Sequence, residues 1–66
     1  MTITLNGESH TWVEPKTVAE LLTGLGIDTR MVAVERNHLV VKRATYADTV
    51  VVAGDEIEIV NFVGGG

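Results

Sequence analysis

The sequence predicts an α+β domain in which a mixed sheet of four to five strands packs on one helix and a flexible glycine tail follows. Three observations carry this expectation. An Asn6-Gly7 pair separates two β-type runs, a capped segment of helical period comes next, and β-branched runs divided by turn residues fill the chain up to Val63. Sixty-six residues amount to one domain, read here as a folded unit over 1–63 and a tail over 64–66.

The opening run Met1 to Leu5 alternates apolar and polar residues. Asn6-Gly7 is the favoured pair for a two-residue type I′ turn, and Glu8 to Val13 supplies the return strand. That loop length sets Leu5 opposite Glu8 and Ile3 opposite His10, so Ile3, Leu5, His10 and Trp12 share one face, the core face. Pro15 ends the strand. Thr17 with Glu20 three residues on forms a capping-box pattern. Val18, Leu21, Leu22 and Leu25 follow at i, i+3, i+4 and i+7 as one apolar stripe, and Gly26 with Ile27 reads as a glycine stop closed by an apolar contact.

Strands return with Met31 to Glu35, a turn at Asn37-His38 and a short partner at Leu39 to Val41. Ala44 to Asp48 reads as a turn or a single helical turn. Val50 to Val52 leads into a Gly54-Asp55 turn, and Glu56 to Val63 forms the last strand, rich in β-branched residues. One helix must cover one sheet face, because nothing else in the chain is available to bury it. The helix joins two parts of the sheet, so the first and last strands can lie side by side and parallel. This is the β-grasp arrangement.

Composition narrows the function. Five basic and nine acidic residues give a net charge of −4, and the cations are scattered, which argues against a phosphate-backbone binder. No apolar run approaches the roughly 20 residues of a membrane span, and no charged-then-apolar leader opens the chain, so a cytoplasmic protein is expected. With no cysteine, neither a disulfide nor a thiolate metal site is available, and persulfide carriage on a side chain is excluded. A domain this small buries only about 60% of its unfolded surface. Its stability must come from a well-packed core, which the 45% hydrophobic content permits.

The tail Gly64-Gly65-Gly66 has two readings on composition alone, a frayed terminus or remnant of cloning and a working tip. The second follows from steric logic. A terminal carboxylate becomes electrophilic only when an enzyme activates it, and glycines let a backbone thread into a closed site where a Cβ would collide. In the last strand, Ile57, Ile59 and Val63 alternate with Glu56, Glu58, Val60 and Phe62. With the first set facing the core, Val60 and Phe62 emerge on the opposite face at the root of the tail, as a docking patch. The alternative is that Phe62 packs on a sheet edge or under the loop around Tyr46. His10 and His38 sit in no metal-ligand cluster, and Asp55, Glu56 and Glu58 read as a turn aspartate and solvent-facing acids, so no metal site and no catalytic residue is assigned.

The chain resembles the ThiS family, the sulfur carrier proteins of thiamine (thiazole) biosynthesis. The matching residues are Ile3-Thr-Leu5-Asn6-Gly7-Glu8, Thr17-Val-Ala-Glu-Leu-Leu22, Val32-Ala-Val34, Arg43 with Tyr46-Ala47, and the closing GDEIEIVNFVGGG from Gly54 to Gly66. Lys42 stands where relatives often have proline, and Asn37-His38 replaces a commoner Asn-Gly turn. The resemblance implies a ubiquitin-like fold and a protein that is acted on rather than an enzyme. It implies that an adenylating enzyme of the ubiquitin-activating type uses ATP and magnesium to adenylate the carboxylate of Gly66. A sulfur donor system such as a cysteine desulfurase then supplies the sulfur for a thiocarboxylate, which thiazole synthase consumes. Gly65 and Gly64 would thread the tail, and no cofactor would be bound stably. Two other readings remain open at this point. One is a same-fold carrier of another pathway, of the molybdopterin synthase small-subunit type. The other is a non-covalent ubiquitin-like interaction module.

Overall fold

The computed structural model describes residues 1–62. Thr2–Leu5 (β1) and Glu8–Thr11 (β2) form the expected hairpin, with Leu5 opposite Glu8 and Ile3 opposite His10. The turn is built as the Asn-Gly pair demands, with φ at +48° and +82°.

Lys16–Thr17 (β3) precedes the helix Val18–Gly24 (α1). The capping box is complete: Glu20 N–H donates to Thr17 Oγ1, and Thr17 N–H donates to Glu20 Oε1 at 2.9 Å. Hydrogen bonding from Thr17, its backbone N–H first and then its side chain, lowers the pKa of the Glu20 carboxyl. The helix stops in a Schellman motif. Gly26 takes φ +73° and donates to the Thr23 carbonyl, while Ile27 N–H reaches back to the Leu22 carbonyl at 2.9 Å. Val18, Leu21 and Leu22 are buried, but Leu25 is the C-cap and 44% exposed. The apolar stripe therefore ends one turn earlier than the spacing predicts, because Leu25 is already the C-cap and the chain turns left-handed at Gly26.

A 3₁₀ turn, Thr29–Met31, capped by Asp28, leads into Val32–Arg36 (β4), which turns through Asn37-His38 into Leu39–Val41 (β5). The predicted strand start at Met31 thus moves by one residue, since Met31 closes the 3₁₀ turn. A second 3₁₀ turn, Arg43–Thr45, fills the segment read as a turn or helical turn. It carries Tyr46 into the core, where it is 4% exposed. Val50–Val51 (β6) does not join the main sheet but pairs with β3 as a separate two-stranded ribbon. Glu56–Asn61 (β7) is the final strand. The last residue assigned to it by sequence, Val63, lies outside the described residues.

The main sheet has the order β2-β1-β7-β4-β5, with β1 and β7 parallel at its centre. Ile3, Leu5, Val32, Val34 and Ile57 from its inner face meet Val18, Leu21 and Leu22 of α1, and Val51 and Tyr46 close the core. Trp12 packs against this core from the end of the first hairpin and is only partly buried. Among the described residues no helix is long and apolar enough to cross a membrane. One helix laid across a five-stranded mixed sheet with parallel central strands is the ubiquitin-like β-grasp fold.

Candidate functional site

The tail leaves from β7, and the fold holds the body of that strand from two sides. On one side β4 pairs with it from Arg36↔Ile57 to Val32↔Asn61, and Phe62 N–H donates to the Met31 carbonyl at 2.9 Å. On the other, β1 pairs at Thr4↔Glu56 and Leu5↔Ile57, and Asn6 extends the contact by accepting from Ile59 N–H at its Oδ1, 2.8 Å away. The root of the tail is therefore a central strand of the sheet. Gly64, Gly65 and Gly66, assigned to threading and to the carrier carboxylate, lie outside the described residues.

Alternation along β7 sorts its side chains. Ile57 is 1% exposed and Ile59 packs against the core, so the even-numbered residues face outward. Val60 and Phe62 are 56% and 52% exposed, and Tyr46 is buried elsewhere, so Phe62 does not pack beneath the loop that carries Tyr46. Register adds two neighbours that sequence reasoning missed. Ala33 sits directly opposite Val60, and Met31, 44% exposed, is bonded to Phe62 through its carbonyl. The alternation Met31, Ala33, Glu35 was visible in the sequence; only the pairing of β4 with β7 reveals that it continues the patch.

Acids border this apolar surface. Glu35 and Glu58 are cross-strand partners on the outer face, with exposed Glu56 next along β7. Two like charges directly opposite each other destabilise a sheet, so this pair costs the fold stability and leaves the face anionic here. The resulting surface is an apolar centre with an anionic border, continuous with the strand that leads into the tail.

Asp55, grouped with the acids by sequence, has a structural task. It is 5% exposed; its carboxylate accepts from Val52 N–H at 2.9 Å and from Asn37 Nδ2 at 3.1 Å, and it forms an ion pair with Arg36 Nε 3.2 Å away. Asn37 in turn accepts from Glu56 N–H at 2.9 Å. This network clamps the β4–β5 turn to the start of β7. No cluster of three or more His, Cys, Asp or Glu side chains able to hold a metal occurs among the described residues. His10 lines a cleft of about 160 Å³ between β2 and α1, together with Trp12, Lys16 and Leu21, and stands apart from the other histidine.

Comparison with known proteins bears on this geometry. A crystal structure of the thiamine biosynthesis protein (ThiS) from Geobacter metallireducens superimposes with a TM-score of 0.87 at 38% identity, each chain covered fully. The sulfur carrier protein ThiS of Bacillus subtilis is 36% identical over 63 residues, which is 94% of this chain and 96% of that one. Two proteins named thiazole synthase match the whole chain, at 47% identity in Paramagnetospirillum magneticum and 50% in Magnetococcus marinus. The chain spans only 20% of the length of each. The family model of ThiS covers residues 3–66, from the first strand through the glycines, and on that extent and the shared fold the chain belongs to the ThiS family.

Proposed function

We propose that this chain is a sulfur carrier for thiazole formation in thiamine biosynthesis, with the carboxylate of Gly66 as its working group. The observation that carries the reading is its similarity, over almost the full length of both chains, to the Bacillus subtilis protein named a sulfur carrier.

The chemistry needs two stages. A carboxylate resists attack by nucleophiles, so an adenylating enzyme of the ubiquitin-activating type first joins it to the α-phosphate of magnesium-bound ATP and releases pyrophosphate. A persulfide formed from cysteine by a desulfurase then displaces AMP to give an acyl disulfide on Gly66, and a thiol cleaves its S–S bond, forming a disulfide with the donor sulfur and releasing the thiocarboxylate. Thiazole synthase takes that sulfur. The carrier contributes no acid, base or metal to these steps. It contributes a tip without side chains, Gly64 to Gly66, and a docking face built on Val60 and Phe62.

Two features support thiazole synthase as the consuming partner. Proteins of that name contain a segment matching this entire chain, so carrier-like and synthase sequences occur within single polypeptides. Covalent linkage raises effective concentration, which suits two proteins that must meet in each cycle. The acid-bordered apolar face also offers the mixture of burial and charge that transient partners use.

Pathway is tested by supply. A strain lacking this chain should require thiazole or thiamine, and the full-length chain should relieve that requirement while a chain without Gly66 should not. A requirement relieved only by restoring molybdenum-cofactor synthesis would assign the carrier to that pathway instead. Full rescue by the shortened chain would mean that the terminus is inert and that the domain acts as an interaction module.

A further inference from the structure

The final strand outlasts its neighbour. In the parallel β1–β7 ladder, Asn6 N–H donates to the Ile57 carbonyl at 2.9 Å. The next bond of such a ladder would run from Ile59 N–H to the main-chain carbonyl of Asn6. The chain instead turns away at Asn6-Gly7, and the side-chain oxygen of Asn6 takes the Ile59 N–H in its place. The carboxamide stands in for one residue of strand, and beyond it, among the described residues, nothing continues the line of β1.

On its other side the chain remains engaged, since Phe62 N–H bonds to the Met31 carbonyl just ahead of β4. Backbone groups alternate in direction along a strand, so Ile59 N–H, the Ile59 carbonyl and Asn61 N–H all point toward the β1 side. Among the described residues neither the Ile59 carbonyl nor Asn61 N–H has a backbone partner. One rung of the ladder is thus open, with an acceptor and a donor at strand spacing. Side-chain burial follows the same course, from Ile57 at 1% exposure through half-buried Ile59 to exposed Asn61, as β7 runs past the core.

A rung with both a donor and an acceptor matches an extended polypeptide. An anion would satisfy the N–H but meet the carbonyl oxygen unfavourably. The outward Val60 and Phe62 lie beside the rung, where side chains of an added strand would contact them. The sheet's two edge strands, β2 and β5, are each two strands from β7, although β5 carries exposed Leu39 and Val40.

We propose that an extended segment of thiazole synthase adds to the sheet at this rung, continuing the line of β1 along Ile59 to Asn61. The inference rests on the reading of the chain as a carrier docking on that enzyme. Thiazole synthase is chosen as the occupant because proteins of that name contain a segment similar to this whole chain.

The test uses the intact chain and purified thiazole synthase. Asn61→Pro removes the N–H that faces the rung and leaves the amides facing β4 in place, since proline is tolerated where a strand's N–H is unpaired. Asn61→Ala removes the side chain alone. Asn61→Ala should bind like the unaltered chain, whereas Asn61→Pro should lose about ten-fold in affinity at an unchanged melting temperature. Amide hydrogen exchange at Asn61 in the unaltered chain should slow on complex formation. Equal affinities of the two variants, or exchange at Asn61 unchanged by the synthase, would overturn the strand addition. If Asn61→Pro melts early, the exchange measurement on the unaltered chain decides alone. Absence of any complex with the unaltered chain would overturn the docking reading itself, and this inference with it.

Discussion

At the scale of single residues, the β4–β5 turn holds an unusual choice. Asn37 and His38 sit at φ +52° and +69°, as a two-residue type I′ turn requires. Asparagine tolerates that region, but a bulkier side chain does so at a cost of about 1–2 kcal/mol. His38→Gly should stabilise the fold by about 0.5–1 kcal/mol, after allowing for the greater freedom of glycine in the unfolded chain. Urea denaturation would show it as a higher midpoint at constant slope; a lower midpoint would mean that the exposed His38–Glu56 contact at 3.7 Å outweighs the backbone term. Phe62 is the residue on which the docking face depends. Phe62→Asp should lower affinity for the adenylating enzyme by ten-fold or more while changing stability by about 0.5 kcal/mol or less. Comparable losses in calorimetric binding and in stability would return Phe62 to the core. The outward position of Phe62 was legible from alternation alone. The burial of Asp55 was not, because it depends on Arg36 and Asn37, which only the fold brings beside it.

At the scale of elements, local chemistry predicts well where it is self-contained. The Asn6-Gly7 hairpin, the Thr17–Glu20 capping box and the Gly26 stop are all formed by residues within a few positions of one another, and all three occur as the sequence indicates. The two-residue strands β3 and β6 carry no readable period, and their pairing is set by the path of the chain around the helix. The 3₁₀ turn after the helix was likewise missed, although Asp28 marks its start. Asp28 accepts from Arg30 N–H and pairs with the Arg30 guanidinium at 2.9 Å, and these hydrogen bonds lower its pKa to about 2. A carboxyl whose folded pKa is depressed contributes stability above its unfolded pKa, near 4, and loses it as pH falls through the folded value. NMR titration of Asp28 should accordingly find a midpoint about 2, and a midpoint near 4 would mean that the cap is not formed in solution. The facing Glu35 and Glu58 make a second element-level prediction. Glu58→Gln should raise stability by about 0.2–0.5 kcal/mol by relieving repulsion, yet weaken partner binding if the acids serve a cationic surface. A loss in stability with unchanged binding would remove the acids from the docking face.

At the scale of the whole molecule, the fold followed from a single constraint. One amphipathic helix and several strands leave one way to bury a sheet face, and the parallel centre of the sheet follows from a crossover through that helix. Tyr46, which completes the core from a 3₁₀ turn, was beyond such reasoning because the turn has no apolar period of its own. The chemistry of the tail was never legible from periodicity or composition. It came from the resemblance carried by GDEIEIVNFVGGG, and membership of the ThiS family gives that resemblance its weight. The most direct test is an intact mass of the chain after incubation with its adenylating enzyme, magnesium, ATP and a sulfur source, with fragmentation to locate any change. A gain equal to the exchange of one oxygen for sulfur, confined to Gly66 and absent when Gly66 is deleted or followed by another residue, is the predicted result. An unchanged mass with an enzyme shown to be active, or sulfur found anywhere but the terminal carboxyl, would contradict it.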